Sequence, residues 1–184
     1  DLEDPYPYDP DRARQLLADA GAAGLTLTLD VYQNPDLEAV AQVLQAMLAD
    51  VGVTLEVRVQ EYAAYAETVQ QDAVEMYATS WGTVTLDADY TLFAFFHSSE
   101  IPANNVSRYA VPEVDDALEA ARGTPDDAQR EELYRTVQER VLADVPMVTL
   151  YYPLSTSAKR PSLQGEVVRF SWINLDLRDA TLQE

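Results

Sequence analysis

At 184 residues with 47% hydrophobic content and eleven tyrosines, the chain is long enough and apolar enough for one folded domain with its own core. Thirty-two acidic against twelve basic residues give a formal charge of −20, which repels phosphate backbones and anionic lipid and argues against nucleic acid or a membrane surface as partner. There is no cysteine, which removes disulfides, thiolate nucleophiles and cysteine-based zinc sites, and no apolar run reaches the length of a membrane span.

The predicted elements alternate. Asp9-Pro10 opens a helix with a carboxylate N-cap and proline at the first helical position; Ala13, Leu16, Leu17 and Ala20 form its apolar stripe, and Gly21 or Gly24 ends it. Leu25, Leu27, Leu29 and Val31 alternate with Thr26, Thr28 and Asp30 as a strand. Asn34-Pro35 repeats the helix-opening device, and Leu37, Val40, Val43, Leu44, Met47, Leu48 and Val51 follow at helical spacing up to Gly52. Val53, Leu55, Val57 and Val59 alternate again, so the order is β-α-β with crossovers that imply parallel strands. A third helix is expected over 62–71 and a third strand over 75–81. Both early strands alternate rather than being apolar throughout, which implies that one sheet face is only partly covered. Two further helices are expected, from about 113 to 122 and from Thr124-Pro125-Asp126 onward, the second with Leu133, Val137, Val141 and Val145 on one face. Met147 to Tyr152 reads as a buried strand, and Glu166 to Leu182 as extended structure.

Ser80 to Asp116 crowds Trp81, Asp87, Asp89, Tyr90, Phe93, Phe95, Phe96, the only histidine (His97) and Asn104-Asn105 into a long connection at the end of a strand. Open α/β sheets place ligands there. Trp81 offers either a flat apolar face to a solute or ordinary core filling. Asp87 and Asp89 read as acceptors for a ligand ammonium or hydroxyl, or as turn-forming Asx residues. Asn104 and Asn105 read as donors to a ligand carbonyl or as turn chemistry, while the phenylalanines read as core. His97 lies in an aromatic-rich, helix-like stretch and reads as a structural or rim residue rather than as the base of a nucleophilic triad. Asp87-Ala88-Asp89 also has the form of a metal-holding DxD pair, which keeps a metal-dependent transferase as an alternative; a non-catalytic protein-interaction domain is another. The acidic surface reads as a solvated face suited to high salt rather than a cation-binding patch.

Tyr8-Asp9-Pro10 through Ala13, Leu16-Leu17 and Ala20-Gly21 resembles the opening signature of the family 5 extracellular solute-binding proteins, the peptide, nickel and glutathione receptors of ATP-driven (ABC) importers. The similarity continues in order through Val51-Gly52-Val53, Ser80-Trp81-Gly82, Asn104-Asn105, Tyr109, Glu113-Val114-Asp115, Leu118, and Arg130, Leu133, Tyr134 and Gln138 to Pro146. It implies an α/β fold, the lobe of a type II periplasmic binding protein with a mostly parallel central sheet flanked by helices. Residues 1–160 would be an incomplete second (C-terminal) ligand-binding lobe, and 161–184 a segment returning to the first lobe of a longer protein. The implied function is capture of peptides or peptide-like solutes in an inter-lobe cleft, without catalysis and without a cofactor. Ligand contacts would come from Trp81, Asp87, Asp89, Tyr90, Asn104 and Asn105. Implied partners are the ligand, the first lobe and the ABC permease subunits, with membrane contact only through the importer or an upstream lipid anchor. The location would be the periplasm or the extracellular cell surface. In peptide-binding members an acidic residue three positions after the tryptophan anchors the ligand's α-amino group; Val84 stands there in this chain, and the Asp87 to Tyr90 stretch resembles the glutathione-type branch more than the dipeptide branch.

Overall fold

The structure, a computed structural model, describes residues 2, 5–154, 158–165, 167–168 and 175–182. Helix α1 (Pro10–Asp19) starts where Asp9 accepts from the Arg12 amide at 2.9 Å. Strand β1 (Thr26–Tyr32), helix α2 (Pro35–Asp50) and strand β2 (Thr54–Gln60) then form the expected parallel unit, α2 being capped by the Asn34 side chain on the Asp36 and Leu37 amides. Helix α3 (Tyr62–Gln70) leads to β3 (Met76–Tyr77), which pairs with the other side of β1, so the parallel sheet runs β2-β1-β3.

Leu29, Val31, Leu55 and Ala41 bury one face of this sheet under α2. The other face is polar at its centre. Asp30 is fully buried there, and the guanidinium of Arg58 and the amide of Gln60 donate to it, with the Arg58 Nη2 contact at 2.7 Å. A buried carboxylate is tolerated only when its lone pairs are matched in this way. The alternation in β1 thus marks a real difference between the two faces.

The second half of the chain is helical. Helix α4 (Ala88–Phe96) lies inside the segment read as a connection, followed by a single 3₁₀ turn (Ser98–Glu100), α5 (Pro112–Gly123) and α6 (Asp127–Asp144). Phe95, Phe96, Val114, Leu118, Tyr134 and Val137 form their shared core. Toward the C-terminus two antiparallel pairs nest, β4 (Leu163–Gln164) with β7 (Thr181–Leu182) outside β5 (Val167–Val168) with β6 (Leu175–Asp176). The remainder of the extended stretch expected over 166–182 lies outside the described residues.

Three expectations are corrected. Met147 to Tyr152 is not a strand, and beyond Met147, which packs against the helical core, it is exposed: Val148 is 65% and Tyr152 89% exposed. Strand propensity is expressed only against a partner ladder, and no described strand lies alongside this one. The third strand is cut to Met76–Tyr77; just beyond it the Ala78 amide still donates to the Asp30 carbonyl at 3.0 Å, and the Ala78 carbonyl accepts from the Tyr65 hydroxyl at 3.0 Å. The stripe on α1 buries no residue.

Candidate functional site

Strands β1 and β2 end in register at Tyr32 and Gln60, with β3 ending two residues earlier at Tyr77 opposite Asp30; this carboxyl edge is where α/β sheets bind ligands. The Tyr32 hydroxyl lies 2.9 Å from the Ser80 hydroxyl, and its ring stands edge-on to Tyr62 and Tyr65 with centroids 5.3 Å from each. Burial pushes the Tyr65 and Tyr77 hydroxyls upward in pKa, so both stay neutral hydrogen-bonding groups.

Trp81 follows Ser80 directly. Its indole N–H donates to the Thr91 hydroxyl at 3.1 Å, and its ring packs on Tyr90 and Phe95 with centroids 5.4 and 4.7 Å away. It remains 40% exposed, so it is partly core filler and partly an open aromatic face at the ligand-competent edge.

Round α4 from Trp81 lies a solvent-open cleft of about 450 Å³ whose walls include Asp87, Asp89, Tyr90, Glu100, Arg122 and Arg130. Asp87 is the N-cap of α4, accepting from the Asp89 amide at 2.9 Å, and both its oxygens accept from Arg130 Nη2 at 2.9 and 3.0 Å. The Arg130 guanidinium first, and the Asp89 amide second, hold the Asp87 carboxyl below its usual range. Asp89 is gripped in a two-point fork by Arg122, at 2.7 Å from Nε and 3.0 Å from Nη2. The Arg122 guanidinium also lies 3.2 Å from the centre of the Phe93 ring, a cation–π contact. Neither aspartate is a bare carboxylate. Among the described residues no three His, Asp or Glu side chains converge as metal ligands, and the DxD pair faces arginines instead.

Asn104 donates to the Glu100 carboxylate at 2.9 Å, so it meets the cleft through Glu100. Asn105 is fully buried and committed inward: its NH₂ donates to the carbonyls of His97 and Tyr109 at 3.1 and 2.7 Å, and its oxygen accepts from the Tyr109 amide and the Ser107 hydroxyl, both at 3.1 Å. The fold thus gathers Trp81 and Tyr90 at one edge, places Asp87 and Asp89 round α4 from Trp81, Asn104 behind Glu100, and Asn105 inside the loop. His97 is buried, stacked on Phe93 at 4.1 Å, with Glu119 3.4 Å from Nε2 and the Ser99 hydroxyl 2.7 Å from Nδ1. That set has the composition of a hydrolytic triad. However, the Ser99 amide donates to the same Nδ1 at 3.1 Å, which occupies the lone pair a general base would need. It is a cap.

Sequence reasoning missed Tyr32, Tyr62, Glu100, Arg122 and Arg130. The strand-ending position of Tyr32 was a usable signal. Arg130 belongs to the run that resembles the family's helix, but nothing in it points to a cleft, and nothing in the local pattern singles out Arg122.

Comparison with known proteins gives a consistent result. Residues 1–103 match the profile described as bacterial extracellular solute-binding proteins, family 5 middle. A glutathione-binding protein of Pectobacterium atrosepticum is 32% identical over 188 residues, which cover 95% of this chain and 37% of that protein. Among solved structures, a periplasmic binding protein of Helicobacter pylori in complex with the peptide STSA superposes with TM-score 0.81 at 29% identity, over 98% of this chain and 36% of that one. A binding protein from A. tumefaciens in complex with mannopinic acid superposes with TM-score 0.66 at 35% identity, over 76% of this chain and 29% of that one. The chain spans a little over a third of the length of the curated relatives it matches.

Proposed function

This chain belongs to family 5 of the bacterial extracellular solute-binding proteins, with the α/β fold of a periplasmic binding protein lobe, and we propose from that premise that it carries one wall of a peptide-binding cleft. In this reading the whole protein is the capture component of an ABC importer. It works in the periplasm or at the cell surface, holds short peptides or glutathione-like solutes, delivers them to permease subunits and performs no chemical step. Residues 1–160 are the lobe, 161–184 return toward the first lobe, and the other wall belongs to that lobe.

The observation that carries this reading is Trp81, an aromatic face left 40% open at the carboxyl edge of the sheet, beside Tyr90 and the Ser80–Tyr32 hydroxyl pair. A flat aromatic surface suits the planar backbone of a peptide, and neighbouring hydroxyls supply sequence-tolerant hydrogen bonds. Asp87 and Asp89, already matched by arginines, act on the polar end of the ligand as part of two dipolar pairs. Asn104 contributes by aiming Glu100, and Asn105 by fixing the loop. With Val84 in place of the family's amine anchor, recognition depends little on a free amino terminus.

The test is calorimetry on the full-length protein with glutathione and with short peptides, free and N-acetylated. Trp81→Ala is expected to weaken the best ligand at least about tenfold, in line with loss of one buried aromatic contact. An unchanged affinity would remove Trp81 from the site and this reading with it.

A further inference from the structure

Helix α4 carries two functions on two faces. An α-helix advances about 100° per residue, so Thr91 and Phe95 share one stripe and Asp89 and Phe93 share another, well round the axis. The first stripe holds Trp81, through the indole N–H to Thr91 at 3.1 Å and the ring contact with Phe95 at 4.7 Å. The second is gripped from outside, by the Arg122 fork on Asp89 and its guanidinium stacked on Phe93. A second grip holds the first turn, where Arg130 binds both oxygens of the N-cap Asp87. Arg130 is itself fixed, since its Nε donates to the Ala121 carbonyl at 3.2 Å and its Nη2 donates to the Tyr134 hydroxyl at 3.1 Å. The end of α5 and the start of α6 are therefore tied to the start of α4.

We infer that Arg122 and Arg130 are positioning residues for solute binding: by clamping the first turns of α4 they set the orientation of Trp81. The inference rests on the reading of Trp81 as a ligand contact. The ring contacts and the indole hydrogen bond of Trp81, to Tyr90, Phe95 and Thr91, all fall on α4. A roll of α4 about its axis moves all three together, and fraying of its first turn moves Tyr90 and Thr91. Ion pairs that merely decorate a surface contribute little. These two differ in geometry: one is a two-point fork backed by an aromatic ring, and the other sits on a helix cap and is braced by a backbone carbonyl and a tyrosine.

The test uses the full-length protein labelled with fluorotryptophan, in which the Trp81 fluorine signal is assigned by its loss in Trp81→Phe. Arg122→Gln and Arg130→Gln are expected to shift or broaden that signal and to weaken glutathione or the tetrapeptide Ser-Thr-Ser-Ala at least about fivefold, the scale of coupling between residues joined through a shared element. Arg135→Gln, which removes exposed pairs to Glu131 and Glu132 on α6, is expected to leave both unchanged. Arg122→Lys keeps the charge but loses the fork and the flat stacking face, so it should give an intermediate shift; it decides the matter if a glutamine variant does not fold. A Trp81 signal unmoved in a folded Arg122 or Arg130 variant overturns the inference. If the signal moves but Trp81→Phe binds both probes as tightly as wild type, the clamp stands as structure and the ligand role of Trp81 falls, and with it the assignment of the arginines to binding.

Discussion

Asp87 shows how much one side chain can be asked to do. It caps α4, neutralises Arg130 and borders the cleft. Its carboxyl is held below the usual range, so its contribution to stability is complete above the unfolded value of about 3.9 and is lost as pH falls through the lowered folded value. Asp87→Asn keeps a capping oxygen and removes the charge. At neutral pH the variant is expected to lose less than about 1 kcal/mol, since the side chain is partly open to solvent, and its acid-side loss of stability should be shallower than that of wild type. Urea unfolding between neutral pH and about pH 3 reads both effects, and parallel acid limbs would show that Asp87 contributes nothing there. The sequence offers an Asx turn at Asp87 as one of two readings, because Asp87 and the Asp89 amide are two residues apart, and the structure makes that turn the cap of a helix. Sequence alone could not disclose the pairing with Arg130, which is 43 residues away on another helix. The sequence leaves Asn105 open between a donor to a ligand and turn chemistry, and the fold shows its amide closing the loop on His97 and Tyr109.

Between elements, the division is between a sheet sealed by α2 and a three-helix group sealed by Phe95, Leu118 and Val137. The early β-α-β unit was legible because caps and alternation are signals of two to four residues, and Asp9, Asn34 and the leucine–threonine alternation all register locally. The strand expected at Met147–Tyr152 failed because apolar, β-prone residues specify a strand only when another edge is present to receive them. Leu118 is fully enclosed where α5 meets α4 and α6. Leu118→Ala is expected to cost about 3 kcal/mol, the transfer loss plus the cavity left in a packed core. Chemical denaturation measures it, and a loss under about 1 kcal/mol would mean that the helices close over the gap. Because α4 belongs to this group, the same variant should also loosen the support of Trp81.

At the scale of the whole molecule, the formal charge of −20 spreads over a chain with a single lysine. Self-repulsion of that size favours expansion, and added salt screens it over distances of about 10 Å at 0.1 M. The melting temperature is accordingly expected to rise from low salt to about 1 M sodium chloride, with most of the gain at the low end if screening is the cause. A melting temperature independent of salt would show that the acidic groups are too dispersed to strain the fold. The uncovered segment after α6 adds a second consequence. Val148, Leu150, Tyr151 and Tyr152 stand exposed in a run without charge, the composition of a self-templating cross-β segment. In this chain alone, collective negative charge is what keeps two such segments apart. Salt therefore acts in opposite senses on two properties, raising resistance to heat while lowering the barrier to fibre-like association through residues 147–152.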